Sequence, residues 1–237
     1  MIVFIIPYRD REQQQQFFAS HMKTVLDGID AEIYYIHQTD SRGFNRGAMK
    51  NIGFLAMKNK YPNYRDITFV FNDIDTMPYT RGFLNYETSA GIIKHFYGFQ
   101  FALGGIVSIN GGDFERINGF PNLWSWGYED NTLQKRALAA GIKIDRSQFY
   151  PIHDKHIMHF QDGFNRTINR TEFDRVANKT QAGLYSIHNL TYNIDSDFVN
   201  VTTFMTETPE NVKANIEYDL RNGNTPFSLK KTMKMVM

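Results

Sequence analysis

The chain opens with an unbroken apolar run, Ile2 to Tyr8, that ends in Pro7-Tyr8. A short run that is apolar on both of its faces predicts a central strand of a parallel sheet covered by helices. Arg9 to Asp27 follows with Phe17, Phe18, Met22, Val25 and Leu26 near helical spacing. Ala31 to His37 reads as a second strand. Asn45 to Lys60 reads as a helix with Met49, Ile52, Leu55 and Ala56 on one face. Ile67 to Asn72 is a third buried strand. This alternation predicts an α/β fold, a single Rossmann-like domain with a mostly parallel central sheet flanked by helices. Ligands of such sheets sit outside the carboxyl ends of the strands, where Pro7-Tyr8-Arg9 and Asp73-Ile74-Asp75 fall.

The second half is less regular. Ile106 to Ile109 predicts a short strand, Asp113 to Asn118 a short helix, and Glu129 to Ala140 a longer helix that stops at Gly141. His156 to Phe160 reads as a strand or strand edge. Asp162 to Lys179 is polar and reads as a loop with some helix, Leu190 to Thr203 as a strand pair, and Glu210 to Arg221 as a terminal helix. No linker or repeat divides the chain. The expected organisation is a domain over residues 1–205, with a C-terminal helix and tail over 206–237 packed on or extending from it. Lys230 to Met237 is basic and rich in Met and reads as a frayed or docked terminus.

Composition narrows this picture in three ways. A net charge of +1 gives no basic field for nucleic acid. The absence of Cys excludes disulfides and thiolate metal sites. Ile2 to Ile6 is too short to cross a membrane and lacks the layout of a signal peptide, so no transmembrane segment is expected. Aromatic content of 15% suits both a ring-rich core and the stacking of sugars. Five Asn-x-Ser/Thr sequons, from Asn165 to Asn200, are what an Asn-rich chain produces by chance.

Three clusters carry chemistry. Asp73-Ile74-Asp75 lies at a strand end, and two carboxylates there can hold a divalent cation against a diphosphate. An Asp-x-Asp triplet alone is weak, and its place after Phe69-Val70-Phe71-Asn72 is what raises it. His153, His156 and His159 fall within seven residues, and imidazole is a common ligand for manganese or zinc. Residues three apart on a straight strand face opposite sides, so a shared ion demands a bend between His156 and His159. Trp124-Ser125-Trp126-Gly127-Tyr128-Glu129-Asp130 sets both tryptophans beside two acids at a helix start. Indole stacks on sugar rings, and a carboxylate stabilised by the helix terminus can accept a hydroxyl proton. A capped helix with buried tryptophans is the competing reading.

In order along the chain, these segments resemble the β-1,4-galactosyltransferase family, glycosyltransferase family 7, of the GT-A fold. The resemblance runs through Ile5 to Arg11, Phe44 to Phe54, Phe71 to Asp75, Gly104-Gly105, Ile117 to Asn122, Trp124 to Asp130, His156 to His159 and Phe173 to Arg175, roughly residues 2 to 205. Asn118-Gly119-Phe120-Pro121-Asn122 leading into the tryptophan cluster is its most specific part. The resemblance implies a UDP-sugar pocket from Pro7, Tyr8, Arg9, Arg11, Phe44, Arg46, Asp73, Ile74, Asp75, Ala102, Gly104 and Gly105. It implies a manganese ion on Asp75, His156 and His159, with Trp126 as a mobile lid over the donor. Glu129 and Asp130 would hold the acceptor, with Asp130 as the base, and Trp126, Phe173 and Val176 would form the acceptor wall.

The reaction so implied is an inverting transfer of galactose or N-acetylgalactosamine (GalNAc) from its UDP-sugar to a saccharide, giving a β-linkage, expected to be β-1,4. His156 stands where vertebrate members often carry Met, a softer ligand, so magnesium is expected to serve as well as manganese. Ala102 falls where galactose-specific members carry a bulky Tyr, which leaves room for the N-acetyl group of UDP-GalNAc. The loop from about Gln161 to Lys179 is expected to close after donor binding, so that donor binds before acceptor. The missing anchor, stem and cysteines of animal members favour a soluble, cytoplasmic enzyme, microbial or viral, over Golgi residence. Three alternatives stay open: a polypeptide or polysaccharide N-acetylgalactosaminyltransferase relative, a non-catalytic carbohydrate-binding relative, and a nucleotidyltransferase. Product linkage separates the first, donor hydrolysis the second, and the tryptophan cluster has no task in the third.

Overall fold

The computed structural model describes residues 1–160, 163–179 and 181–223, with side chains undescribed at 176–179. The Lys230–Met237 tail therefore lies outside the described residues. The strands are β1 (Ile2–Tyr8), β2 (Ala31–Gln38), β3 (Thr68–Asn72), β4 (Thr76–Pro78), β5 (Ile92–Gly98), β6 (Ile106–Asn110), β7 (Lys143–Asp145), β8 (Tyr150–Pro151), β9 (Ile157–His159), β10 (Asn165–Asn169), β11 (His188–Asp195), β12 (Phe198–Met205) and β13 (Asn215–Asp219). The α-helices are α1 (Glu12–Val25), α2 (Arg46–Lys60), α3 (Gly111–Arg116), α4 (Glu129–Ala139) and α5 (Arg170–Lys179).

A nine-stranded sheet organises the molecule in the order β11-β12-β2-β1-β3-β6-β5-β7, with β8 beside β5. β12, β2, β1 and β3 run parallel to one another. β6 then pairs antiparallel with β3 and with β5, and β11 runs antiparallel to β12. β7 and β8 both run parallel to β5, so the sheet is mixed but mostly parallel, as the sequence pattern led one to expect. The reversal arises after β3, where the chain returns through short connections without a crossover helix. β1 is apolar throughout because both of its faces are covered. Val3 and Ile5 join the core beneath α2, while Ile2, Phe4 and Ile6 pack with Phe18, Met22 and Val25 of α1. Each of these fully buried side chains contributes about 1.5–3 kcal/mol.

α2 starts where it does because the Asn45 side chain accepts from the Ala48 amide at 2.9 Å, and it ends at Lys60, with its C-cap Tyr61 directly before Pro62. α4 ends ahead of Gly141, whose φ of 70° supplies the left-handed turn that follows a helix. Two differences from the sequence reading lie on one side of the molecule. Asn165–Asn169 is a strand, β10, where a loop was expected, and residues 212–222 form two short 3₁₀ turns flanking β13 where a helix was expected. The two strands pair antiparallel over all five positions. Asn-Ile-Glu-Tyr-Asp has too few apolar positions for a helical face, and the partner strand supplies the hydrogen bonds that a helix would have made internally. β4 and β9 form a second small ribbon in which Thr76 faces His159.

Candidate active site

One cleft opens at the carboxyl ends of β1 and β3, as the fold predicts. Pro7, Arg9 and Arg11 line it from β1 and the turn that follows, and Phe44 and Arg46 line it from the start of α2. Asp73, Ile74 and Asp75 form its floor, with Ala102, Gly104 and Gly105 beside them. Trp126, Glu129 and Asp130 face it from the entry to α4, and Phe173 stands behind, its ring edge-on to Tyr128 at 4.6 Å. Tyr8 does not line the cleft. Its ring packs against Tyr35, His37 and Phe198 on the far side of β1. Arg9 reaches the cleft, but its guanidinium donates to the Asp40 and Arg42 carbonyls and so shapes the loop ahead of Phe44. Val176 is carried by α5, and its side chain lies outside the described residues.

Arg46 is the hub. Its guanidinium donates to Asp73 at 2.6 Å, to Glu129 at 2.5 Å and to Asp130 at 3.2 Å. One cation therefore ties the acids after β3 to the acids that open α4. Lys50, one helical turn later on the same face of α2, is 1% exposed. Its Nζ lies 3.4 Å from Asp130 and 3.6 Å from Asp73. Burial alone would raise Asp73, but Arg46 and Lys50 outweigh it and hold its carboxyl well below the usual range. Asp75 goes the other way. Burial, and then the charge of Asp73, push it up, and Arg11 at 4.0 Å offsets this only in part. Glu129 is 3% exposed, and its Oε2 is buried with no hydrogen-bond partner among the described residues. An orphaned carboxylate oxygen is costly unless a ligand donor meets it.

The β4–β9 ribbon brings His159 to Asp75: Thr76 faces His159, and the Phe160 amide donates to the Asp75 carbonyl at 2.9 Å. Burial holds His159 below the usual histidine value, which keeps the imidazole neutral, the form that ligates metal. Tyr97 fixes the ring: its hydroxyl accepts from the His153 amide at 3.1 Å and shares a hydrogen bond with His159 Nδ1 at 2.9 Å. His156 is not brought to this pair. It precedes β9, stacks on Phe83 at 5.4 Å and bonds to Asp154 at 2.8 Å. It lies in the turn ahead of β9, where the Ile157 amide donates to the Asp154 carbonyl at 3.2 Å, and its ring is engaged by Phe83 and Asp154 rather than by Asp75. Among the described residues no three His, Asp or Glu side chains are gathered closely enough to hold a metal ion. The donor set nevertheless fits one at Asp75 and His159. A dication there would stabilise the Asp75 carboxylate, which burial and then the charge of Asp73 push up, and carboxylate with imidazole suits manganese.

The tryptophan segment is held from several sides. Asn51 of α2 donates to the Phe120 carbonyl at 2.7 Å and accepts from the Phe120 amide at 2.9 Å, and Asn122 caps the Gly183 carbonyl at 2.9 Å. That buried amide network is the physical content of the Asn-Gly-Phe-Pro-Asn stretch. Trp124 stacks on Phe204 and donates to the Thr208 carbonyl at 2.9 Å. Glu172 of α5 accepts from the Trp124 amide at 3.1 Å and the Ser125 hydroxyl at 2.9 Å. Trp126 itself stays 36% exposed over the cleft. Gly104 is required by the close approach of Asp130, since a Cβ there would lie 2.3 Å from Oδ2. Sequence reasoning missed Lys50, Tyr97 and Glu172. The four-residue spacing of Arg46 and Lys50 was the signal for the first, whereas the other two are set by tertiary contacts alone.

Residues 1–85 match the family model described as the N-terminal region of glycosyl transferase group 7. Residues 92–161 match the model described as the N-terminal domain of galactosyltransferase. β-1,4-Galactosyltransferase 1 of Homo sapiens is 30% identical over 206 residues, covering 81% of this chain and 50% of the relative. β-1,4-Galactosyltransferase 4 of Mus musculus is 33% identical over 157 residues, covering 61% and 44%. The chain thus spans about half the length of the curated relatives it matches. Among solved structures, the catalytic domain of Drosophila β1,4-galactosyltransferase 7 in complex with xylobiose shares the fold at a TM-score of 0.65 and 21% identity, over 88% of this chain and 94% of that one. A mutant of the same enzyme, in complex with manganese, UDP-Gal and xylobiose, gives 0.64 and 20% over the same shares.

Proposed function

Because the chain belongs to the β-1,4-galactosyltransferase family, glycosyltransferase family 7, we propose that it transfers galactose from UDP-galactose to a saccharide hydroxyl with inversion at the anomeric carbon. The observation that carries this reading is the pairing of two acid sets across one cleft: Asp73 and Asp75 with His159 on one side, Glu129 and Asp130 on the other, joined by Arg46 through Asp73. The first set suits the diphosphate end of a nucleotide sugar and the second suits a sugar hydroxyl. A manganese ion on Asp75 and His159, joined by His156 after rotation about its side chain, would supply charge neutralisation for the departing diphosphate; the Drosophila relative was solved with manganese and UDP-Gal.

The chain's own groups do the rest. Arg11 and Arg46 face the phosphates, and Trp126 covers the donor and shields it from water. The orphaned Oε2 of Glu129 accepts a hydroxyl of the incoming sugar. Asp130 receives the proton of the attacking hydroxyl, which bonds to the anomeric carbon as the bond to UDP breaks on the opposite face. Arg46 and Lys50 keep Asp130 aimed until then. Phe173 backs the acceptor sugar.

The small Ala102 beside Gly104 leaves space at C2 of the donor sugar, so UDP-GalNAc serves as a second donor. Imidazole at position 156 in place of a thioether extends metal use to magnesium. A panel of UDP-sugars with manganese or magnesium, read by UDP release, tests the reading. Release from UDP-galactose supports it, release from UDP-glucose alone overturns the donor assignment, and no release with any donor overturns the activity.

A further inference from the structure

Tyr97 lies at the end of β5, fully buried, and reaches the cleft wall. Its backbone is fixed from several sides. The Tyr97 carbonyl accepts from His95 Nε2 at 3.0 Å, and Tyr97 pairs with Tyr150 of β8. Gly105 permits the approach, since a Cβ there would lie 2.4 Å from the Tyr97 carbonyl oxygen. Two histidines then meet the hydroxyl. His153 takes a left-handed φ of 69°, unfavourable for a residue with a side chain, and its amide donates to the Tyr97 hydroxyl at 3.1 Å. His159 Nδ1 lies 2.9 Å from the same oxygen, with the two rings perpendicular and 5.6 Å apart.

This contact sorts the two nitrogens of the His159 ring. Nδ1 is engaged by Tyr97, so Nε2 is the nitrogen left for a dication beside Asp75. A neutral imidazole carries one hydrogen, and the nitrogen that bears it cannot ligate. The Tyr97 oxygen has a second lone pair beside the one that takes the His153 amide. We propose that Tyr97 is a positioning residue of the metal centre: its oxygen accepts from His159 Nδ1–H, which keeps the hydrogen on that nitrogen and turns the Nε2 lone pair to the dication. In the opposite arrangement Tyr97 would donate to Nδ1, the hydrogen would sit on Nε2, and the ring could not ligate. This rests on the reading of Asp75 and His159 as metal ligands and is indifferent to which sugar is transferred. Tyr97 acts through His159, 62 residues away, and touches neither sugar nor diphosphate in this role.

Mn²⁺ binding in the presence of UDP, followed by the EPR signal of free Mn²⁺, tests this without any turnover. Tyr97→Phe keeps the buried ring and removes only the hydroxyl. It is expected to weaken Mn²⁺ about tenfold or more, while Tm moves by a few degrees at most, because the exposed His153 amide can turn to water. In a His159→Ala background the same substitution is expected to change Mn²⁺ affinity less than about twofold, since the residue through which it acts is gone. Unchanged affinity in Tyr97→Phe would overturn the proposal, as would equal losses in the two backgrounds. Long-range proton–nitrogen NMR of the wild type with UDP and Zn²⁺, a diamagnetic ion that imidazole ligates, needs no variant. It should show His159 bound through Nε2 with the hydrogen on Nδ1, and a hydrogen on Nε2 contradicts the proposal. UDP release from UDP-galactose, measured alongside, separates the two readings. Mn²⁺ binding that depends on Tyr97 without any UDP release sinks the transfer and leaves this role standing, whereas release with Mn²⁺ affinity indifferent to Tyr97 does the reverse.

Discussion

Arg46→Met removes one charge from the centre of the cleft while keeping the unbranched apolar stem. In the wild type that guanidinium faces three carboxylates, Asp73 at 2.6 Å, Glu129 at 2.5 Å and Asp130 at 3.2 Å, and it is 22% exposed. Taking away one partner of a buried ion pair costs about 3–5 kcal/mol. The partial exposure and the survival of Lys50, 3.4 Å from Asp130, place this case near the lower end, about 3 kcal/mol. For a chain of this size that corresponds to a fall in Tm of about 6–12 °C. Thermal unfolding at pH 7 without metal measures it. The same scan on Arg46→Met with Asp73→Asn, set against each single variant, gives the coupling. Neutralising Asp73 removes part of the repulsion that the first substitution exposes, so about 1–3 kcal/mol should return. An Arg46→Met protein that melts within about 2 °C of wild type would refute the hub, as would strictly additive effects in the pair.

Asp130→Asn should lower transfer by at least about a hundredfold while leaving UDP affinity within a few-fold, because the amide can no longer take the hydroxyl proton; comparable loss in UDP binding by calorimetry would contradict its role. Gly104→Ala should reduce turnover by pushing a methyl group into Asp130 Oδ2, with Tm lowered by only a few degrees; unchanged kinetics would mean that Asp130 is not held at that spot. His95 is buried against the Tyr97 and Gly104 carbonyls, with Arg146 on its other nitrogen, and burial followed by Arg146 drives its pKa down to about 4. The folded state therefore favours the neutral ring. Its stabilising contribution is complete above the unfolded value of about 6.5 and erodes as pH falls towards 4. Relative to His95→Gln, which cannot titrate, the wild type should lose about 2 kcal/mol between roughly pH 6.5 and 5 by denaturant unfolding, and a difference independent of pH would contradict this.

Much of this site could be read along the chain because its parts sit at element ends with local signals. The apolar run before Pro7, the one before Asp73 and the acids opening α4 mark three edges of the cleft by periodicity alone. The histidines could not be sorted that way: His153, His156 and His159 are equivalent in sequence, and only the pairing of β9 with β4 selects His159 for Asp75. Arg9 was legible as a cleft residue but not as the clamp on the Asp40 and Arg42 carbonyls, since those are 31 and 33 residues away. β10 and β13 were hidden for a related reason. Neither has a strand's apolar alternation, and each becomes a strand because the other, 46 to 54 residues distant, supplies its hydrogen bonds. The reversal of β6 is likewise a matter of where a short connection lands.

The account as a whole asserts that Asp130 and the diphosphate end of the donor lie on opposite sides of the anomeric carbon. Proton NMR of the product formed from UDP-galactose with Mn²⁺ and a saccharide acceptor reads that arrangement directly, through the coupling at the new anomeric proton. A β-linked galactoside is the predicted product, and an α-linked one would contradict the geometry assigned to the cleft.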